Sequence, residues 1–319
     1  MTSRRLIRIK NLQLLYAYGK REGMTISEAE KELIKSISKS TDLYYHLLLL
    51  ITEIQRYAFL KIDAARNRRL ASPEDLNPNT RFVDNPVIKR LAESRIFQTR
   101  VRNNLVSFTD CHGLIPHLYN DLVASDFYAR YMTMKNPAVE DHKAVLLEMI
   151  SELIAPDEEF ALAMEEKSIF WNDDLELVAN VAYKTVRFIN ERDDEIGFLD
   201  LYSDEDVEYA RNLFRKSILH AGDNLRLLED FTQNWDIERV SDVEKIIMNM
   251  AVTELKHFPS IPVKVTFDEY IEIAKCYCSA KSSGFVNGVL DKVLNVLKEN
   301  GEIQKTGRGL LEGYEESPE

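Results

Sequence analysis

Glycine is the residue that most restricts this chain. Only 11 of its 319 residues are glycine, and four of them (Gly301, Gly307, Gly309, Gly313) lie beyond residue 300. None stands between Gly23 and Gly113, and none between Gly113 and Gly197. Tight hairpins and phosphate-cradling loops need positive φ, which glycine supplies without steric cost. Their absence, with apolar residues at helical spacing almost throughout, predicts an all-α fold.

A chain of 319 residues is long enough for two domains, and an apolar fraction of 45% is that of a globular protein. No apolar run is long enough to cross a bilayer: Leu47-Leu48-Leu49-Leu50-Ile51 stops at Thr52-Glu53. The N-terminal arginines have no apolar segment behind them, so no secretory signal is read and no membrane is expected. Three cysteines, Cys111, Cys276 and Cys278, fit reduced thiols in a cytoplasm better than a disulfide framework. Neither Cys111-His112 with His117 nor Cys276-Tyr277-Cys278 has the spacing of a closed zinc site. No metal, cofactor or catalytic residue is expected, because no P-loop, Gly-x-Ser-x-Gly or His-Glu-x-x-His motif occurs. The chain is read as no enzyme.

The net charge of −12 is unevenly spread. Residues 1–24 carry Arg4, Arg5, Arg8, Lys10, Lys20 and Arg21 against Glu22 alone. Residues 61–102 carry 10 bases against 5 acids, and residues 140–208 carry 21 acids against 5 bases. The chain therefore reads as an acidic body with two basic patches.

Helices are expected near 3–21, from a capping box at Ser27 and Glu30, and from Asp42 to Arg69. Residues 72–86 read as a proline-broken loop. Further helices are expected near 86–105, 114–134, 138–154, 157–168 and 173–190, and again near 204–218, 221–234, 241–257, 266–279 and 283–299. Ser241/Glu244 and Thr266/Glu269 both have capping-box spacing. Residues 301–319 are expected to be disordered.

The helix at 283–299 breaks its own pattern. Phe285, Val286, Val289, Leu290, Val293, Leu294 and Leu297 make one apolar stripe, yet Gly288 sits inside it and Asn287 beside it. In a helix interior glycine costs roughly 1 kcal/mol relative to alanine. Ser282-Ser283-Gly284-Phe285-Val286-Asn287-Gly288-Val289-Leu290-Asp291 resembles the C-terminal signature of the NusB family of bacterial transcription antitermination factors. The runs Val243–Leu255 and Ile261–Lys275 resemble the preceding helices of that family, and Arg4–Tyr16 its basic first helix. The match covers roughly 1–20 and 203–299. The division so implied is a first core helix at 1–22, a helical insertion at 23–200, a C-terminal core at 201–300 and a tail at 301–319.

The resemblance implies a non-enzymatic factor that grips boxA-like single-stranded RNA of nascent ribosomal RNA. It would do so with the ribosomal protein NusE, inside an RNA polymerase antitermination complex. Arg4, Arg5, Arg8, Lys10, Gln13, Tyr16, Lys264, Lys281, Phe285 and Asn287 would face RNA, and Glu238, Arg239, Glu244 and Lys245 the protein partner. Taken alone, Arg4, Arg5 and Arg8 are a solvated basic helix start, opposite a buried stripe of Leu6, Ile9, Leu12, Leu15 and Tyr16. By itself Phe285 reads as core, while its place at the helix start and the resemblance make it a stacking platform for a base; Glu244 reads equally as a cap or a docking residue. Two other functions stay open. One is the RNA-recognition part of a ribosomal RNA methyltransferase-like system, which would need a glycine-rich cofactor loop. The other is a protein-binding helical scaffold without RNA.

Overall fold

The computed structural model describes residues 3–103, 106–190, 195–232, 240–279 and 281–311. It is all-α: no strand occurs among the described residues. The chain forms two compact units, Ser38–Leu201 and a second made of Thr2–Ile37 with Tyr202–Glu319.

Helix α1 spans Ser3–Lys20. The two helices expected next are one, α2, running 41 residues from Ile26 to Arg66. Nothing stops it, since neither glycine nor proline occurs between Gly23 and Pro73. Its cap is Thr25 with Glu28, two residues before the expected pair: Glu28 N–H donates to the Thr25 hydroxyl at 3.2 Å, and Thr25 N–H to the Glu28 carboxylate at 2.9 Å. Glu30 instead turns inward and accepts from Arg215 at 2.5 Å.

In the unit Ser38–Leu201, α2 is followed by a single turn α3 (Pro73–Leu76), in place of part of the expected loop. Then come α4 (Pro86–Glu93), α5 (Arg95–Asn103), α6 (Leu114–Ala124), α7 (Asp126–Thr133), α8 (Val139–Glu148), α9 (Glu158–Lys167) and α10 (Leu175–Phe188). Two serines divide helices that the apolar pattern runs together. Ser94 Oγ accepts from Phe97 N–H and Ser125 Oγ from Tyr128 N–H, both at 3.3 Å, so each hydroxyl caps a new helix. A π-helical stretch, Met149–Ile154, continues α8, and Met149, Ile150 and Ile154 are buried. Helix α8 packs on α4, α7 and α10, and the π stretch on α6.

In the second unit, α11 (Asp204–Leu219), α12 (Ala221–Thr232), α13 (Asp242–His257), α14 (Val263–Tyr277) and α15 (Ser282–Glu299) assemble with α1. Helix α13 is the centre, touching α1, α11, α12, α14 and α15. All residues from Ile247 to Leu255 are buried. Such a helix has no solvent face for its polar side chains, so each needs a partner. Asn224 Nδ2 donates to Asn249 Oδ1 at 2.9 Å and to Thr253 Oγ1 at 3.0 Å, and Asn249 Nδ2 to the Ser217 carbonyl at 2.9 Å. Helix α14 begins at Val263 behind Pro262, so the expected Thr266/Glu269 cap is not one. Thr266 lies inside the helix, and its hydroxyl donates to Glu254 at 2.8 Å.

The tail expected to be disordered is anchored in part. Thr306 N–H donates to the Pro259 carbonyl at 2.9 Å, Lys305 Nζ to the Phe258 carbonyl at 3.1 Å, and Lys256 pairs with Glu302 at 2.7 Å. A 3-10 turn at Gly307–Leu310 closes the strap. A Cβ on Gly309 would sit 2.0 Å from the Pro259 carbonyl oxygen. Gly309→Ala is therefore expected to lift the strap. Amide exchange at Thr306 should accelerate at least tenfold while the exchange of α13 is unchanged; unaltered protection of Thr306 would show that the turn adapts.

Two imidazoles at the ends of α11 and α13 stack, with His220 and His257 ring centroids 4.3 Å apart. His257 Nε2 is buried and has no hydrogen-bond partner. Burial, then the charges of His220, Lys216 and Lys256, push the His257 pKa down to about 4. The ordinary value, reached on unfolding, is about 6.5. The unfolded chain thus binds the extra proton first, and stability present above pH ~6.5 is lost as pH falls toward about 4. The melting temperature of the native chain should fall more than that of His257→Phe across this window; parallel curves would refute the assignment.

Candidate nucleic-acid interface

The arginines of α1 do not form a row facing solvent. Residues Leu6 to Leu12 are all buried, so α1 is enclosed on every side over two turns. Arg8 is 2% exposed and donates from Nε and Nη2 to the two oxygens of Glu254, at 2.9 and 2.8 Å. Tyr209 and Tyr270 also donate to Glu254. Burial alone would neutralise these charges. The Arg8 guanidinium nevertheless holds the Glu254 carboxyl below the usual carboxylate range, and Glu254 holds Arg8 well above its ordinary value. Burial and then the Glu254 charge push the Tyr209 and Tyr270 phenols up.

The other two arginines are half-buried and paired. Arg4 donates to Asp206 at 3.0 Å and to Glu205 at 2.6 Å, with its guanidinium 4.7 Å from the centre of the Tyr209 ring. Arg5 makes two bonds to Glu269, at 2.7 and 3.0 Å. Lys10 is buried at 1% exposure. The expectation that Arg4, Arg5 and Arg8 share one open face is corrected for Arg8: it lies inside, paired to an acid 246 residues away. Tyr16, placed by the pattern in the buried stripe, is instead 42% exposed.

The far end of α1 leads to a different grouping. Gln13 Nε2 donates to Tyr277 Oη at 3.2 Å, eight residues on from the Arg5–Glu269 pair along both helices, so α1 and α14 run parallel. Lys20 lies 5.5 Å from the Tyr16 ring centre and pairs with Asp242 at 2.7 Å, at the start of α13. The Ser241/Glu244 capping box forms as its spacing requires: Ser241 N–H donates to Glu244 at 2.8 Å, and Glu244 N–H to Ser241 Oγ at 3.3 Å. Burial would raise the Glu244 pKa, but hydrogen bonds from Ser282 and Ser241 hold it low. Burial, then the Glu244 charge, raise the Cys278 thiol to about 11.

These contacts bring Gln13, Tyr16, Lys20, Glu244, Tyr277 and the first turn of α15 to one end of the unit. Lys281 is exposed at the head of α15, and no acid lies within 4.0 Å of it among the described residues. Val286, Val289, Leu290, Val293, Leu294 and Leu297 face the core, while Phe285 is half-buried at the edge of that stripe. Gly284 and Gly288 are exposed, with open space where a Cβ would go. Asn287 Nδ2 donates to Asp291 at 3.4 Å, and Lys245 is half-buried. Lys264 is exposed near the opposite end of α14, thirteen residues or roughly 20 Å of helix from Tyr277. Glu238 and Arg239 lie outside the described residues. The acidic and basic candidates, assigned from sequence to separate helices, are thus neighbours: Ser282, in the turn that carries Lys281 and Phe285, helps hold the Glu244 carboxyl low.

Sequence reasoning missed the Arg8–Glu254 hub. Its signal is Leu6-Ile7-Arg8-Ile9-Lys10-Asn11-Leu12, where charges stand inside an apolar run that has no polar side.

Comparison with known proteins gives this geometry a family. The model of the NusB family matches residues 173–295. The Transcription antitermination protein NusB of Salinibacter ruber is 40% identical over 104 residues, covering 33% of this chain and 65% of that protein. The protein of the same name from Chloroherpeton thalassium is 43% identical over 79 residues, 25% of this chain and 37% of its own. That from Symbiobacterium thermophilum is 36% identical over 99 residues, covering 31% and 65%. The chain spans less than two thirds of the length of these relatives. A solved structure of T. maritima NusB aligns at 26% identity over 53% of this chain and all of its own, with a TM-score of 0.29. The match to the NusB family thus lies in the C-terminal region, residues 173–295, and it is this region that the relatives resemble.

Proposed function

We propose that this protein is a cytoplasmic, non-catalytic transcription antitermination factor. It binds a short boxA-like single-stranded RNA together with NusE, within the antitermination complex of RNA polymerase. The observation that carries this reading is the head of α15. It carries an exposed lysine with no acidic partner among the described residues, a half-buried aromatic ring and a helix face bare of side chains, at the end of the unit where Tyr16 and Lys20 also lie. A lysine at a helix N-terminus attracts phosphate, and an aromatic ring at an edge stacks unpaired bases. Glu244 and Lys245, beside this turn, suit the protein partner. The helical unit Ser38–Leu201 is read as an insertion into the family's core.

Binding of a boxA-like oligomer and a scrambled one, each with NusE present, tests the proposal. Preference for the boxA-like strand supports it; equal and weak binding of both would end it. The salt dependence assigns the phosphate contacts. Lys281→Gln and Lys264→Gln should each flatten the slope of log affinity against log salt by about 0.7 if the lysine meets a phosphate of a single strand. A slope unchanged by either substitution would remove that lysine from the RNA path.

A further inference from the structure

We propose that His117, Asp121 and Asp157 form a site for one divalent d-block cation of the zinc class, joining α6 to the start of α9. His117 and Asp121 are one helical turn apart on α6, and their ligand atoms and those of Asp157 all lie within 4.8 Å of one another. His117 Nε2 is 2.9 Å from Asp157 Oδ2, 3.6 Å from Asp121 Oδ2 and 3.9 Å from Glu159 Oε2.

Metal bonds of about 2.0–2.2 Å set neighbouring donors about 2.9 Å apart at octahedral angles and about 3.3 Å apart at tetrahedral ones. The observed spacings bracket both values. The two aspartates lie within 4.8 Å of each other, so a small cation fits between these atoms once the Asp121 and Asp157 side chains close on it by at most about 1.5 Å. Asp157 is already oriented: its Oδ1 accepts from Phe160 N–H at 2.6 Å as the cap of α9, which leaves Oδ2 for the ion. Glu159, 3.9 Å from His117 Nε2, stands at the edge of this group and is not one of the three, which leaves the remaining coordination places to water.

Charge separates the cation from a simple ion pair. One imidazolium proton on Nε2 can lie along only one of the three lines to carboxylate oxygen, and it leaves the group at net −2 when Glu159 is counted. A divalent ion replacing that proton serves both aspartates at once and neutralises more of the charge. An imidazole with carboxylates suits zinc, cobalt or nickel better than magnesium or calcium, which take oxygen alone. Cys111 and His112, grouped with His117 in the sequence, are not in this set; the i,i+4 acid and the cap of the next helix are.

The test uses the full chain, freed of metal by chelator and titrated with Zn²⁺ by calorimetry, and with Co²⁺ by its visible absorption. The expected result is one saturable site per chain, with the melting temperature raised by Zn²⁺. Asp157→Asn keeps a good helix cap, and Asp121→Asn changes a half-exposed side chain. Each should weaken Zn²⁺ at least tenfold, and His117→Gln should abolish the Co²⁺ spectrum. Cys111→Ser and His112→Gln should bind as the native chain does. No saturable binding, binding unchanged in His117→Gln, or binding lost in Cys111→Ser would each overturn the assignment.

Discussion

Replacing Arg8 with alanine should cost about 3–5 kcal/mol of folding stability, because it leaves Glu254 charged and alone in the interior. Glu254 is fully buried, and the carboxylate also takes hydrogen bonds from Tyr209, Thr266 and Tyr270. These remain in the variant, so the deficit is the missing cation and its two bonds. Removing both charges at once, as Arg8→Met with Glu254→Gln, should recover part of the loss, since the amide oxygen still accepts from Tyr209, Thr266 and Tyr270 and no charge is left alone in the interior. Urea denaturation of the two variants beside the native chain provides the measurement. If Arg8→Ala unfolds within about 1 kcal/mol of the native protein, the pair is not a support of this unit.

The second large effect separates two neighbours on α15. Leu290→Ala should cost about 2–5 kcal/mol of stability, as the loss of a fully buried leucine does. Phe285→Ala removes a larger side chain but a half-buried one, and should cost less. Its effect should appear in RNA affinity, where a stacked ring is worth about 1–3 kcal/mol. Melting curves run beside the RNA titrations distinguish the outcomes. A Phe285→Ala chain that melts as early as Leu290→Ala, yet binds RNA normally while folded, would return Phe285 to the core.

Local chemistry was legible in this sequence where one residue type settles it. The glycine distribution indicates helices, and Ser241 with Glu244 forms the cap its spacing requires. Features set by the third dimension were not. Nothing in residues 26–66 ends a helix, yet two weak start signals suggested two. The apolar pattern ran through Ser94 and Ser125, where a hydroxyl competes successfully for backbone N–H groups. Thr266 has cap spacing, but Pro262 had already begun the helix. The candidate interface shows the same division. The exposure of Lys281 follows from its place ahead of an apolar stripe. The burial of Arg8 does not follow from spacing, because i, i+3 and i+4 say which residues are neighbours and not whether water lies beyond them. The closeness of Glu244 to Ser282 depends on how α13 and α15 pack, which no single helix records.

The pairing of Arg8 with Glu254 also bears on how the protein emerges from a ribosome. The two residues are 246 apart in sequence. At about 5–20 residues per second, translation takes roughly 12–50 s to pass from one to the other. For most of that interval the Leu6–Leu12 segment has none of its partners from α11, α13 or α14, the first of which begins at Asp204. A nascent chain therefore carries an apolar helix with an unpaired arginine for most of its synthesis, and contacts of such long range close slowly. Ser38–Leu201, with its contacts contained in one continuous stretch, can fold while α1 waits. Helix α1 is made before its partners and seated after them, and a chaperone that holds short apolar segments has a long opportunity there.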